Sequence, residues 1–451
     1  MSADPQLARF GLFDARVPRY TSYPTAPHFA GGVGPAEFVQ WIETIPAGSE
    51  ISLYLHVPFC LRLCWFCACR TQGTSSDLPV LAYAKTLIAE IALLRRHLAP
   101  GVRLSRLHWG GGTPTLLPPD SIRALADAVY DAVPLAEGAE FSVEIDPNEV
   151  DDARLDALAA AGMNRASIGV QDFDPEIQKT IGREQGYELT KSVADAIRAR
   201  GVKSLNADIL YGLPHQTTAR IADSVQKLLT LSPDRVALYG YAHVPWMSKR
   251  QQMIPSEAMP TPEERLALFE TARELFLWDG YAEIGIDHFA RPEDGMAVAQ
   301  RQGTLRRNFQ GYTDDTAPVL VGLGASSISR FPQGFAQNAS GTSDHTKAIR
   351  EGHFSTHRGH TFTGEDRLRA RIIEALMSDF RVSRAEMLRD FVVTPERLDG
   401  LFQAALRQFP GMVELDARGL SIPQRARPLT RMIARCFDAY DQSKAQHSAA
   451  I

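Results

Sequence analysis

Between residues 51 and 241, six short runs of aliphatic, β-branched and aromatic residues alternate with longer stretches of helical period. The runs lie at 51–57, 104–109, 140–145, 165–170, 204–210 and 235–241, and the helical stretches at 80–97, 119–132, 151–161, 187–200 and 218–230. Such alternation calls for βα units and a parallel sheet. Six units fit either an incomplete barrel or an open doubly wound sheet, and periodicity leaves that choice open. Polar and glycine residues collect just after the strand runs: Cys60 after the first, Gly110 to Thr113 after the second, Glu144 and Asp146 at the third, Gln171 and Asp172 after the fourth. Both architectures place their sites at those strand ends.

The flanks read differently. Residues 1–50 are rich in proline, glycine and aromatics, with a short helical pattern from Pro35 to Ile45, and form an N-terminal arm. Beyond residue 360 come helical segments at 364–379, 383–390 and 394–407, extended pieces at 412–415 and 420–422, and a last helix at 428–441. This order predicts a small, mostly helical, winged-helix-like C-terminal domain. Its basic residues are dispersed, and the whole chain carries 48 basic against 53 acidic side chains, so no nucleic-acid partner is expected. No apolar run is long enough to span a bilayer, and Met1–Pro5 lacks the basic cap of a secretory signal. A soluble, cytoplasmic, monomeric protein with no membrane partner is expected.

Four of the five cysteines, Cys60, Cys64, Cys67 and Cys69, fall within ten residues, while Cys436 stands alone in an apolar helical context. Cysteines so closely spaced rarely reach disulfide geometry together, and in a reducing compartment a cluster points to metal or redox chemistry. The spacing C-x3-C-x2-C-x-C lets a compact loop aim three thiolates at one cubane iron–sulfur cluster. A structural zinc site would need a second Cys or His pair at a distance, and none follows as expected.

The C-x3-C-x2-C core resembles that of the radical S-adenosylmethionine (SAM) enzymes. The resemblance narrows with His108-Trp109-Gly110-Gly111-Gly112-Thr113-Pro114-Thr115, Glu144-Ile145-Asp146-Pro147, Gly169-Val170-Gln171-Asp172-Phe173, Arg183-Glu184-Gln185 and Asp208-Ile209-Leu210-Tyr211-Gly212-Leu213-Pro214. Together with Arg19-Tyr20-Thr21-Ser22-Tyr23-Pro24-Thr25, Tyr239–His243, Asp287–Ala290 and Asn308–Tyr312, these are similar to the family of oxygen-independent coproporphyrinogen III oxidases. Trp65 and Ala68 depart from the Tyr and Gly frequent in that family, without changing a ligand. Related haem chaperones share the first three cysteines but typically lack the fourth and the RYTSYPTA-like stretch. Cys69 and residues 19–26 therefore favour the enzyme.

The resemblance implies that Cys60, Cys64 and Cys67 hold a [4Fe-4S] cluster whose open iron takes SAM. Cys69 becomes a supporting non-ligand, grouped with Tyr54 and His56 on the catalytic side. Two SAM molecules are implied. Tyr54, Gly111, Glu144 and Ile328 match the first, and Phe66, Gly112, Thr113, Gln171, Arg183, Asp208 and Ala242 match the second. Arg183 suits a carboxylate held bidentately, and Glu144 suits hydroxyl or ammonium donors. The implied reaction converts coproporphyrinogen III to protoporphyrinogen IX, with a low-potential electron donor and an unidentified acceptor as partners. Four propionates on the substrate call for cationic donors, and Arg19-Tyr20 is a candidate for part of that contact unless it caps the barrel. The expected architecture is α/β: an N-terminal arm (1–50), an incomplete parallel (β/α)6 TIM-like barrel (51–360) and the C-terminal domain (361–451).

Overall fold

A computed structural model of the chain describes residues 5–440 and 449–451. The opening Met1–Asp4, read above for a secretory signal, lies outside the described residues. The six expected strands form as β1 (Glu50–Val57), β2 (Arg103–Gly111), β3 (Leu135–Ile145), β4 (Arg165–Gln171), β5 (Ser204–Tyr211) and β6 (Arg235–Gly240). Between them run α1 (Leu78–His97), α2 (Pro119–Ala132), α3 (Asp152–Ala160), α4 (Tyr187–Ala199) and α5 (Thr218–Thr230), and α6 (Pro262–Trp278) follows β6. Several starts are set by local chemistry. The Asp151 and Thr217 side chains accept the backbone N–H of Arg154 and Arg220 and cap α3 and α5. Thr261 and Glu264 close a capping box on α6.

Six further strands complete the sheet: β7 (Ala282–Ile284), β8 (His288–Ala290), β9 (Leu320–Leu323), β10 (Ile328–Phe331), β11 (Gly334–Asn338) and β12 (Thr356–Thr361). The order is β12-β11-β10-β9-β1-β2-β3-β4-β5-β6-β8-β7, parallel from β9 to β6 and antiparallel beyond both ends. Strands β1 to β6 therefore stand side by side in chain order. A doubly wound sheet reverses that order at a switch point, whereas right-handed crossovers in unbroken order put the helices in one layer. The antiparallel extension went unforeseen because its strands are short, three to six residues each.

Two large apolar clusters hold the molecule together. One lies between the parallel strands and their helices, with Leu55, Leu107, Phe141 and Ile168 facing Leu87, Leu125, Leu158 and Ile197. Phe38, Trp41 and Ile42 from the Pro35–Glu43 helix join it. Near-continuous burial along β1 is what a parallel strand covered on both faces requires. The second cluster unites α7 (Asp366–Asp379), α8 (Arg384–Asp390), α9 (Pro395–Gln408) and α10 (Thr430–Arg435) with Leu7, Leu12, Val17, Tyr20 and Tyr23. The first two dozen described residues thus pack on the C-terminal helices, while the Pro35–Glu43 helix packs on the sheet.

The C-terminal segments follow expectation closely, with two differences. A third strand, β13 (Arg381–Ser383), pairs with β15 (Gly419–Ser421), which also pairs with β14 (Glu414–Asp416). The expected 428–441 helix is instead a 3-10 turn over Gln424–Leu429 followed by α10, and position 441 lies outside the described residues. After Arg435 the bonds shorten to Cys436 N to Ile433 O and Phe437 N to Ala434 O. The Asp438 side chain then takes the Tyr440 N–H at 2.9 Å, turning the chain away. Cys436 is half-buried with its thiol 3.2 Å from Gln408 Oε1, and burial pushes that thiol up to about 11.

Phe402 is fully buried at the centre of the second cluster. Phe402→Ala is expected to cost about 3–5 kcal/mol and Phe402→Leu under about 1.5 kcal/mol, read as shifts of the denaturant midpoint.

Candidate functional site

The site grows from the carboxyl edge of the parallel strands. Beyond Val57 the chain makes a two-residue parallel pairing, Phe59 and Cys60 with Gln72 and Gly73, which closes the cysteine segment into a loop. Gln72 N to Pro58 O (2.7 Å) and Thr74 N to Cys60 O (3.0 Å) seal its neck. The rim is anchored from elsewhere. Trp65 N donates to Ile181 O at 2.9 Å, and Gln251 Nε2 donates to Phe66 O at 2.8 Å. Ser248 Oγ donates to Cys67 O, and Arg250 reaches the carbonyl and hydroxyl of Thr71.

Under the loop lies the glycine turn. Gly112 N donates to Val57 O (2.8 Å) and Thr113 N to Phe59 O (2.7 Å), so two backbones are in direct contact. A Cβ at Gly112 would stand 2.5 Å from Phe59 O. Gly111 has φ of +115°, and a Cβ there would meet the His56 ring at 2.6 Å. Only glycine permits this approach.

The thiols of Cys60, Cys64 and Cys67 lie within electrostatic reach of one another. Burial pushes Cys60 up to about 11 and raises Cys64, despite Arg183 Nη1 at 3.6 Å from the Cys64 sulfur. Cys67 is drawn down to about 6, chiefly by a hydrogen bond from the Cys69 thiol, which is raised in turn. Among the described residues no three His, Cys, Asp or Glu side chains converge on a single ion. A cubane makes a different demand, since each cysteine binds its own iron. Three facing soft thiols beside a buried guanidinium, on a backbone-clamped loop, fit such a cluster.

Along the sheet the remaining predicted residues fall into two neighbouring groups. On β9, β1, β2 and β3, Tyr54 OH bonds His56 Nδ1 at 2.9 Å and stacks on His108 at 5.6 Å. Glu144 takes the Gly111 N–H at 3.0 Å and lies 3.2 Å from His108 Nε2. Burial pushes the Glu144 carboxyl up, but His108 and the Gly111 amide outweigh it and hold the group ionised. His56 Nε2 lies 3.3 Å from Arg70 O, and burial lowers its pKa so that the ring is neutral at pH 7. Ile328 starts β10 opposite Gly322, the register partner of Tyr54.

Gln171 and Asp208 lie on β4 and β5, and Ala242 follows two residues after the end of β6. Gln171 ends β4 with φ of +67°, at an irregularity in its pairing with β5. Burial raises Asp208 to about 6, against the Asn206 amide at 2.8 Å. Ala242 O accepts from Gln251 Nε2, and Phe66 packs beside Ile177, Ile181 and Leu210. Arg183 bridges the groups, with Nη1 on Asp146 Oδ2 (2.9 Å) and Nη2 on Gly169 O (3.1 Å).

His108 and Asp146, quoted in the motifs but given no site role there, and Arg250 and Gln251, which no motif contained, support this geometry. Period-two alternation places Glu144 and Asp146 on the same side of the chain, a signal available for Asp146. Nothing local marks Arg250 or Gln251, which reach the loop from about 180 positions away.

Residues 54–228 match the family model of the radical SAM superfamily. The oxygen-independent coproporphyrinogen III oxidase of Paracoccus denitrificans is 70% identical over 451 residues, all of both chains, and that of Escherichia coli K12 is 37% identical over 98% of this chain and 97% of its own. The solved structure of the Escherichia coli coproporphyrinogen III oxidase HemN, described as a radical SAM enzyme, superposes with a TM-score of 0.89 at 35% identity, covering 95% of this chain and all of that one. No described helix is long and apolar enough to cross a membrane.

Two outcomes test the site's physical basis. Gly112→Ala should lower iron and acid-labile sulfide after anaerobic reconstitution, while Gly32→Ala, with open space around it, should not. Asp208 retains its proton in the folded chain up to about pH 6 but loses it near pH 4 when unfolded, so it withdraws stability as pH rises between these values. Asp208→Asn should flatten that part of the unfolding free energy against pH.

Proposed function

This chain belongs to the family of oxygen-independent coproporphyrinogen III oxidases within the radical SAM superfamily, and from that premise we propose how its residues divide the work. It is an oxidoreductase of haem biosynthesis that converts coproporphyrinogen III to protoporphyrinogen IX, using a [4Fe-4S] cluster and SAM. The reduced cluster, when present with SAM, supplies the electron that yields a 5′-deoxyadenosyl radical, and the organic chemistry is the cofactor's own. Each of two propionates loses a β-hydrogen, CO2 and one electron and becomes a vinyl group. A low-potential donor and an electron acceptor complete the balance.

Cys60, Cys64 and Cys67 would hold the cluster. Tyr54, Gly111, Glu144 and Ile328 would hold one SAM, the ionised Glu144 accepting from its hydroxyl or ammonium groups. A second would lie against Phe66, Gly112, Thr113, Gln171, Arg183, Asp208 and Ala242. Arg183 already shares Asp146, so it would offer its remaining N–H groups to a carboxylate. Neutral His56 orients the Tyr54 hydroxyl beside the loop, and Cys69 supports Cys67 by hydrogen bonding. The observation that carries this reading is the cysteine loop clamped at the carboxyl strand edge against the glycine turn.

We read the parallel strands as a partial (β/α)6 barrel over residues 51–360, the first 50 residues as an arm and residues 361–451 as a winged-helix-like cover that limits water and oxygen at the radical site. The protein acts as a cytoplasmic monomer without nucleic-acid or membrane partners.

The test is anaerobic incubation of the reconstituted protein with SAM, a low-potential reductant and coproporphyrinogen III. Protoporphyrinogen IX and 5′-deoxyadenosine should both form, and both should vanish in Cys64→Ala. Cys69→Ser should keep its iron and labile sulfide yet turn over more slowly. SAM cleavage without porphyrinogen conversion, accompanied by haem binding, would point to a haem carrier.

A further inference from the structure

A cavity of about 900 Å³ opens beside the site, between the ends of β5 and β6, α6, the N-terminal arm and the C-terminal helices. Its volume lies at the upper end for small-molecule sites. Tyr239, Gly240 and Ala242 line it, so it adjoins the predicted SAM residues, and Tyr211, Trp246 and Phe269 provide aromatic wall.

Its charges are unbalanced. Of the arginines lining it, Arg273 and Arg427 are neutralised by Glu283, at 2.8 and 2.5 Å. Arg425 faces Glu414 at 3.7 Å. Among the described residues, Arg19 and Arg431 have no carboxylate within salt-bridge reach and bond only to main-chain oxygens, while Arg265 meets a carboxylate oxygen only at the final residue, Ile451, at 3.1 Å. Arg19 donates to Gly240 O at 2.7 Å. Arg265 donates to Gly212 O, Tyr241 O and Ile451 O, and Arg431 to carbonyls of Val17, Pro18, Ala449 and Ala450. Buried Arg307 sees Asp287 only at 3.9 Å, and its Nε is buried without a partner. Cations gathered in a part-buried space repel one another and lose hydration unless an anion joins them. Burial, with Arg19 adding repulsion, accordingly draws Arg431 down to about 9 and lowers Arg265.

We propose that this arginine cavity is where the porphyrinogen's carboxylates are held, with Arg19 and Arg265 as the forks that grip them and Arg307 and Arg431 as the fixed positive background. The inference rests on the functional reading above and deepens it. Arg19 spends one of five N–H donors on the protein, so its planar fork is free for bidentate binding at the end of β6. Arg265 keeps two. Arg431 has nearly all its donors committed to the arm and the C-terminal residues, so it contributes charge rather than contact. Tyr20 has no part in this grip, because its hydroxyl turns away to Asp438 at 2.9 Å. The product carries two carboxylates in place of four, so the same cavity holds substrate more tightly than product.

The experiment uses the reconstituted full chain and, as a stable probe, oxidised coproporphyrin III, titrated by fluorescence against its uncharged tetramethyl ester. Arg19→Gln and Arg265→Gln should each weaken coproporphyrin III binding about tenfold, equivalent to about 1.4 kcal/mol, with iron content and SAM cleavage retained. Arg19→Lys should recover part of the loss, and the ester should bind weakly and be indifferent to either change. In turnover the KM for the porphyrinogen should rise more than kcat falls. Unchanged coproporphyrin III binding in both Gln variants, with the unaltered chain still converting porphyrinogen, overturns the assignment of these arginines and leaves the oxidase reading standing. Failure of the unaltered chain both to bind the probe and to turn over porphyrinogen overturns the two together.

Discussion

Contact between two backbones, the glycine turn at Gly110–Thr113 and the neck of the cysteine loop at Val57–Cys60, governs the rest of the site. Two amide-to-carbonyl bonds of 2.7 and 2.8 Å hold them together. That distance leaves no room for a side chain at Gly112 and almost none at Gly111. It sets Cys60 against Thr113, brings His56 under Gly111, and lets the Gly111 amide reach Glu144. Pre-formed backbone geometry of this kind costs little reorganisation when a ligand arrives.

Around that contact the chain spreads its support widely. The loop rim is tied to Ile181 after β4 and to the Ser248–Gln251 turn after β6, so three βα units share in placing it. Arg183 adds a link between Asp146, Gly169 and Cys64. A buried guanidinium committed in this way resists displacement, since breaking one partner leaves the others as uncompensated charge.

The arm couples this site to the C-terminal helices. Its apolar residues belong to the second cluster, yet its Arg19 reaches back to Gly240 at the end of β6. Arg307 and Arg431 grip the arm's main chain through the carbonyls of Val17 to Tyr20. The cavity between the two clusters is therefore walled by all three regions and depends on the arm staying seated.

The sequence by itself determined the βα alternation, the positions of six strands and five helices, the cysteine spacing and the glycine turn. These are local signals, read from periods of two and 3.6 residues and from residue types with few substitutes. It also identified Glu144, Asp208 and Arg183 through their place in motifs, though not their bonds. Tertiary structure alone decided the unbroken strand order, which excluded the doubly wound alternative, and the flanking strands β7 to β12. Strands of three to six residues have too little periodicity to stand out, and they are stabilised by neighbours distant in the chain. Tertiary structure also joined Arg250 and Gln251 to the loop and gathered Arg19, Arg265, Arg307 and Arg431 around one cavity. Arg19 was suggested by the resemblance, but Arg265, Arg307 and Arg431 look like ordinary solvated charges in sequence, because burial is a property of packing.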